Sequence, residues 1–458
     1  MMMPKRFCLV FVTALLSGIL LNPTADADNN TNIVDTAPNI VGEYVTGTRD
    51  ELQIINDGEL SCTNEYVSGY IGWGGNYNSA LVSGPGSVWS NLSTLIVGGY
   101  SHNSLVISNG GMVVDGSGNI GNGGTGYQDS ALVTGPGSVW LNQGDLSVGW
   151  YGAADLMSNS LVVSNGGAVS DVNGWVGDDA NGNSALVSGP GSVWSNSSNL
   201  YMQEAGGFLV IGNGGKVIAV GAILINGNSN NVVVAGSGSM LNGQNGIAIG
   251  TNGVTGNSLT VNGGAVMGSE VTVAPSNSLA LNGGTLVASN GVVVCSGALL
   301  KGTGTIYADI TLAGTLAPGA LTNFGNLTLQ SSAVLQFELG GTAQGSGYNF
   351  VLVTNGLVTL NGLLRVGFIN GFATNVLNSD TFTLLTAGTV NGAFDDVLSG
   401  QRLTTDGDEG SFLVAYSGND LVLSDYEVVP EPATRGLLVM GIGALLARRR
   451  LGRRNVSG

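Results

Sequence analysis

The sequence predicts an all-β chain wound as a right-handed parallel β-helix, and three observations carry that prediction. One phrase recurs almost unchanged at Ser79–Asn91 (SALVSGPGSVWSN), Ser130–Asn142 (SALVTGPGSVWLN) and Ser184–Asn196 (SALVSGPGSVWSN). Looser copies stand between them at Ser104–Asp115 and Ser160–Asp171, and further starts follow near Gly207, Asn231, Ser258 and Ser278. The period of roughly 25 residues is that of a solenoid. Finally, the 77 glycines among 458 residues show no Gly-X-Y period and are interleaved with Val, Ile, Leu, Ser, Thr and Asn, the mixture of short strands and tight turns.

In chain order, residues 28–50 are polar and unpatterned and read as a leader or N-terminal cap. Residues 51–329 form the repeats. Each has a short strand such as LSVG or IAIG, a variable polar loop often ending Asn-Ser, and a second strand. In that second strand Ala80, Leu105, Leu161 and Ala185 match, as do Val82, Ile107, Val163 and Val187. These two positions lie two apart and therefore share a face. The next bend is Gly-Pro-Gly (Gly84–Gly86) or Asn-Gly-Gly (Asn109–Gly111). Proline presets one torsion and glycine supplies positive φ. A third strand aligns Val88, Val113, Val139, Val169, Val193 and Val217 as inward residues.

Three strands and three bends in about 25 residues close one coil, and stacked coils bury a continuous apolar column that one coil cannot bury alone. Repeated Asn at the bends suits amide ladders. A β-propeller blade needs about 40 residues, which disfavours that alternative. Residues 330–427 keep strands but lose the period, as expected of an irregular β cap over the open end.

The two ends read as addresses. Residues 1–27 hold Lys5 and Arg6, an apolar run from Cys8 to Leu21, and Ala25-Asp26-Ala27, the small-x-small pattern of a signal cleavage site. In residues 428–458, Pro430-Glu431-Pro432 precedes the apolar stretch Gly436–Ala447 and the arginines Arg448–Arg450. A signal helix and a C-terminal hydrophobic helix are expected there. Twelve apolar residues rise about 18 Å, short of a hydrocarbon core unless the flanks extend the helix.

The tail resembles a PEP-CTERM sorting signal, with Pro430, Glu431 and Pro432 as the motif; Arg435 stands where that pattern usually has an apolar residue. The resemblance implies export, an exosortase-type processing partner and a membrane stay through the C-terminal helix before processing. Lys301–Leu329 (KGTGTIYADITLAGTLAPGALTNFGNLTL) is similar to the repeats of autotransporter passenger domains. That likeness implies a β-helix in a surface or extracellular setting. Fewer than 130 residues follow Leu329, without the repeated lipid-facing alternation of a membrane barrel.

Chemistry is sparse. The formal charge is −17, and the body between the two ends is poor in cations, which argues against nucleic acid as a partner. His102 is the single histidine and lacks a fixed partner in sequence, so a histidine-dependent nucleophile or zinc site is poorly supported. Asp406 and Asp408 in TTDGDEGS are the calcium candidates, in a chain otherwise expected to need no cofactor. No acid pair recurs at one register beside a base, which places a β-helix lyase or hydrolase second to a non-enzymatic reading. Trp89, Trp140 and Trp194 fall on every second coil, next to inward valines; alternation then turns them outward or to a corner. They are either corner packing or a glycan-binding strip. The function expected is that of an exported surface or matrix protein, adhesive or polysaccharide-binding, held rigid by its β-helix.

Overall fold

A computed structural model describes residues 31–34 and 40–41 by backbone, and residues 48–62, 68–122, 127–150, 158–251 and 253–428. The expected signal helix with Ala25 and Ala27, the motif Pro430, Glu431 and Pro432, and the C-terminal helix lie outside the described residues.

The chain is a parallel β-solenoid. The first face of the stack runs through Glu51–Ile55, Ser79–Ser83, Ser104–Ser108, Ser130–Thr134, Ser160–Ser164 and Ser184–Ser188, each paired in parallel and in register with the next. Ala80, Leu105, Ala131, Leu161 and Ala185 stack as one inward column and Val82, Ile107, Val133, Val163 and Val187 as another, all of them buried. The only helix among the described residues is the 3-10 turn Phe372–Thr374. No helix among them is long and apolar enough to cross a membrane.

Both ends of the stack extend beyond Glu51 and Leu329. Thr31–Val34 pairs in parallel with Glu51–Ile55. Val334–Leu339 pairs in parallel with Leu363–Phe368, and Leu357–Leu360 with Thr389–Gly392. Only then does the pattern change: Asp420–Val428 runs antiparallel to both Phe382–Thr386 and Gly410–Ser417. Phe382, Phe412 and Tyr426 pack edge and face over the terminal coils, with ring centres 5.6 Å and 4.9 Å apart. Arg402 ties the last strand down through Asp425 at 2.9 Å. An open terminal coil would otherwise offer unpaired N–H and C=O groups to other chains.

The second face departs from the expected register by one residue. Val88 and Val139 both pair with Met112, whereas Trp89 and Trp140 pair with Val113, and Trp194 pairs with Val169 and Val217. The cause is turn length: Gly-Pro-Gly-Ser holds one residue more than Asn-Gly-Gly. The extra Ser87, Ser138 and Ser192 are fully buried, and their hydroxyls donate to the carbonyls of Ser83, Thr134 and Ser188 at 2.7–2.8 Å. The same oxygens of Ser138 and Ser192 accept the N–H of Gly110 and Gly166 on the adjoining coil, each at 3.0 Å. Long and short turns thus interlock, and the structural unit is a pair of coils.

That slip moves the tryptophans indoors. Trp140 and Trp194 are 0 % exposed and Trp89 is 2 % exposed. The outward orientation expected from alternation is corrected: the inward residue after each long turn is Trp, and the valine before it faces out. Room comes from the third face, where the column reads Gly69, Leu95, Gly118, Leu146, Gly174, Leu200. A Cβ on Gly118 would strike Asn142 Oδ1, Leu146 and the Trp140 ring; on Gly174 it would strike Asn196 Oδ1 and the Trp194 ring. Gly118→Ala is therefore expected to lower the unfolding free energy by about 1–3 kcal/mol through overpacking, measured by urea titration.

Candidate functional site

The corner between the third face and the next first face is built by two adjacent residues in each coil. One turns inward into an amide ladder. The backbone N–H of Asp50 donates to Asn78 Oδ1 (2.9 Å), Asn78 to Asn103 (2.9 Å), Asn103 to Asp129 Oδ1 (2.7 Å), Asp129 to Asn159 (2.9 Å) and Asn159 to Asn183 (3.0 Å). These ladder side chains are buried, and each satisfies a backbone donor that the bend leaves without a sheet partner.

The residue before each ladder position is forced outward in a left-handed conformation: Arg49 (φ 62), Tyr77 (φ 62), His102 (φ 62) and Gln128 (φ 60). For a non-glycine residue this costs roughly 1–2 kcal/mol. Later coils carry serine or glycine there (Ser158, Gly182, Gly206, Ser229, Gly256, Ser276). Large side chains, three of them cyclic or planar cationic, are thus confined to the first coils. The Arg49 guanidinium lies 5.7 Å from the Tyr77 ring centre, Tyr77 stacks on His102 at 4.6 Å, and His102 meets Tyr127 edge-on at 5.9 Å. Tyr77 is 52 % exposed and Tyr127 47 %. Trp73, Tyr100 and Trp150, also exposed, belong to the same tier of loops. This is a solvent-facing row of rings with amide and hydroxyl neighbours. Its chemistry suits stacking on flat, weakly polar partners.

The structure brings together few of the expected residues. Trp89, Trp140 and Trp194 lie in the core: Trp140 Nε1 donates to Asp115 Oδ2 at 2.7 Å and Trp194 Nε1 to Asp171 Oδ2 at 2.6 Å. They are no surface strip, because a buried indole N–H takes an internal acceptor and the coil beneath supplies one. His102, expected to lack a fixed partner, has Tyr77 and Tyr127. Asp406 and Asp408 do not converge on a metal position; among the described residues no group of three His, Cys, Asp or Glu does. Within that loop Glu409 instead accepts the Thr405 hydroxyl at 2.8 Å. The sequence carried a signal for Tyr77 and His102, each immediately before a ladder Asn, whereas Tyr127 stands two residues before Asp129 and joins the row only through its contact with His102.

A second neighbourhood gathers acids. Trp175 and Tyr201 stack at 3.9 Å on the outer third face, and Asn199 donates to the Tyr201 hydroxyl at 2.9 Å. Nearby Asp178 has its carboxyl pushed up, chiefly by burial and further by Asp179, Asp145 and Glu204, while Ser147 opposes the rise by donating at 3.3 Å.

No family model matches the chain, and no curated protein does. Among solved structures the chain is similar to the TibC-catalyzed hyper-glycosylated TibA55-350 fragment, at 15 % identity and a TM-score of 0.31 over 74 % of this chain and 98 % of that one. A likeness of that size carries no argument, and the fold stands on the strand pairing described above.

Proposed function

We propose that this is an exported, non-enzymatic β-solenoid of a bacterial surface or extracellular matrix that holds polysaccharide along the aromatic loop corner of its first coils. In this reading the N-terminal signal directs export. The tail around Pro430, Glu431 and Pro432 is handled by an exosortase-type enzyme, and the C-terminal helix holds the chain at the membrane until then. The observation that carries the proposal is the placement of Arg49, Tyr77 and His102 at left-handed positions in successive coils, where serine or glycine fills the later ones. Strained backbone under bulky exposed rings is retained where it serves a surface. Rings presented by a rigid stack lose little freedom on binding.

A glycan array with the wild-type chain and Tyr77→Ala/Tyr127→Ala tests it. Retention on at least one glycan by the wild type, with affinity falling about tenfold or more in the variant, is expected. No binding by the wild type, or binding indifferent to the substitutions, overturns the reading. A second reading, a carbohydrate-active enzyme, draws on Asp178, whose carboxyl burial pushes up beside other carboxylates, and on the Trp175–Tyr201 stack. Cleavage of a glycan that is abolished in Asp178→Asn would favour it.

A further inference from the structure

We propose that the outer surface of the first face is the interface of an antiparallel homodimer. Parallel sheets are ordinarily covered on both sides, yet here the outward residues form a solvent-facing stripe. Its centre is aliphatic from Leu81 through Leu132 and Leu186 to Val233, and for most of its length it is flanked by columns of serine and threonine hydroxyls such as Ser104 and Ser108. From Ser79 to Asn282 no outward position on this face is charged. The first charges on either side of that stretch are Glu51, which accepts a hydrogen bond from Gln53 at 2.7 Å, and Lys301 ten coils on, in the same central column as Gln53; past Lys301 the column continues through Ala317 and Gln336 to Arg365.

That arrangement is self-complementary in one direction only. Face to face with the axes in the same sense, the two Lys301 of the central column would oppose each other, and both Glu51 would stand at the other end with no cation opposite. With the solenoid axes opposed, a two-fold axis along the strand direction passes at Leu186, midway between Gln53 and Lys301 in the column. Each Lys301 then stands over Gln53 and within a side chain's reach of Glu51 of the other copy. Volumes match as well, since bulky Leu81 meets small Ala280, and Leu132 meets Val233. Leu186, at the two-fold, is 37 % exposed and meets itself. A face five residues wide and ten coil steps long measures about 17 Å by 50 Å, or about 800 Å² per copy, the size of a standard specific interface.

Sedimentation of the full chain in mild detergent tests this independently of any glycan. The wild type is expected to be a dimer. Leu186→Lys, which points outward and removes no core contact, should be a folded monomer. Glu51→Lys and Lys301→Glu should each raise the dissociation constant about tenfold, and the two together should restore it. A monomeric wild type, a dimer indifferent to Leu186→Lys, or a double variant as weak as the singles would overturn the proposal. Association through the terminal segments is one way the second of these outcomes would arise.

Discussion

Replacing Trp140 or Trp194 by alanine is expected to lower the unfolding free energy by about 3–5 kcal/mol while leaving glycan binding intact in the protein that remains folded. Each indole fills the width of the core between Val113 and Val169, or between Val169 and Val217, so its loss opens a cavity that the stacked coils above and below hold open. The loss also strips Asp115 or Asp171 of the N–H donor that each accepts, leaving a buried carboxyl with one fewer partner. Trp140→Phe should recover part of the volume term and none of the hydrogen bond. Urea unfolding followed by tyrosine fluorescence and far-ultraviolet dichroism measures both. A change under about 1 kcal/mol in Trp140→Ala would contradict the burial described here.

Stability should also fall as pH rises from about 4 to about 8, and Asp→Asn variants should flatten that fall. Asp115, Asp129 and Asp171 are buried without a cation, and each has one carboxylate oxygen lacking a hydrogen-bond partner. Burial pushes Asp115 well up, against the opposing Trp140 N–H. It carries Asp129 and Asp171 to about 8, with Asn103 and Trp194 respectively acting downward and Asp145 adding to the rise of Asp171.

The unfolded chain releases these protons near 3.8, whereas the folded chain keeps those of Asp129 and Asp171 to about 8 and holds that of Asp115 well above the unfolded value. Between those values the folded state binds more protons, so the stabilisation present at low pH is lost as pH climbs. The slope is roughly 1.4 kcal/mol per pH unit for each group. Neighbouring positions show what the neutral acid imitates. The ladder amides of Asn103, Asn183 and Asn277 donate to the carbonyls of Tyr100, Ala180 and Pro275 at 2.7–2.8 Å, and a protonated Asp129 can donate in the same way. Asp129→Asn and Asp171→Asn should therefore match the wild type near pH 4 and exceed it at pH 8 by roughly 2 kcal/mol or more. Parallel stability–pH curves for wild type and variants would refute the assignment.

Much of the fold was legible in the sequence because a solenoid repeats its constraints. The Ala80 and Val82 columns, the Gly-Pro-Gly and Asn-Gly-Gly bends, and the amide ladder each follow from local chemistry repeated at one register. The cap was legible as a loss of period, but parallel stacking persists to Thr389–Gly392 because strand pairing tolerates irregular loops that a sequence period does not. The tryptophans were misplaced for a definite reason. Aligning the repeats on their shared Val ignores the extra serine of the longer turn, and in a strand one residue of slip exchanges the two faces.

The sequence by itself determined the parallel β-solenoid, its coil length and the two columns of its first face, since these rest on periodicity and turn chemistry alone. Tertiary structure decided which side of the second face is inside. Burial of Trp140 depends on Gly118 and Asp115 from a neighbouring coil, and neither stands beside it in the chain. The aromatic corner was decided there too. Tyr77, His102 and Tyr127 are about 25 residues apart, and only the rise of one coil on the next brings their rings into contact.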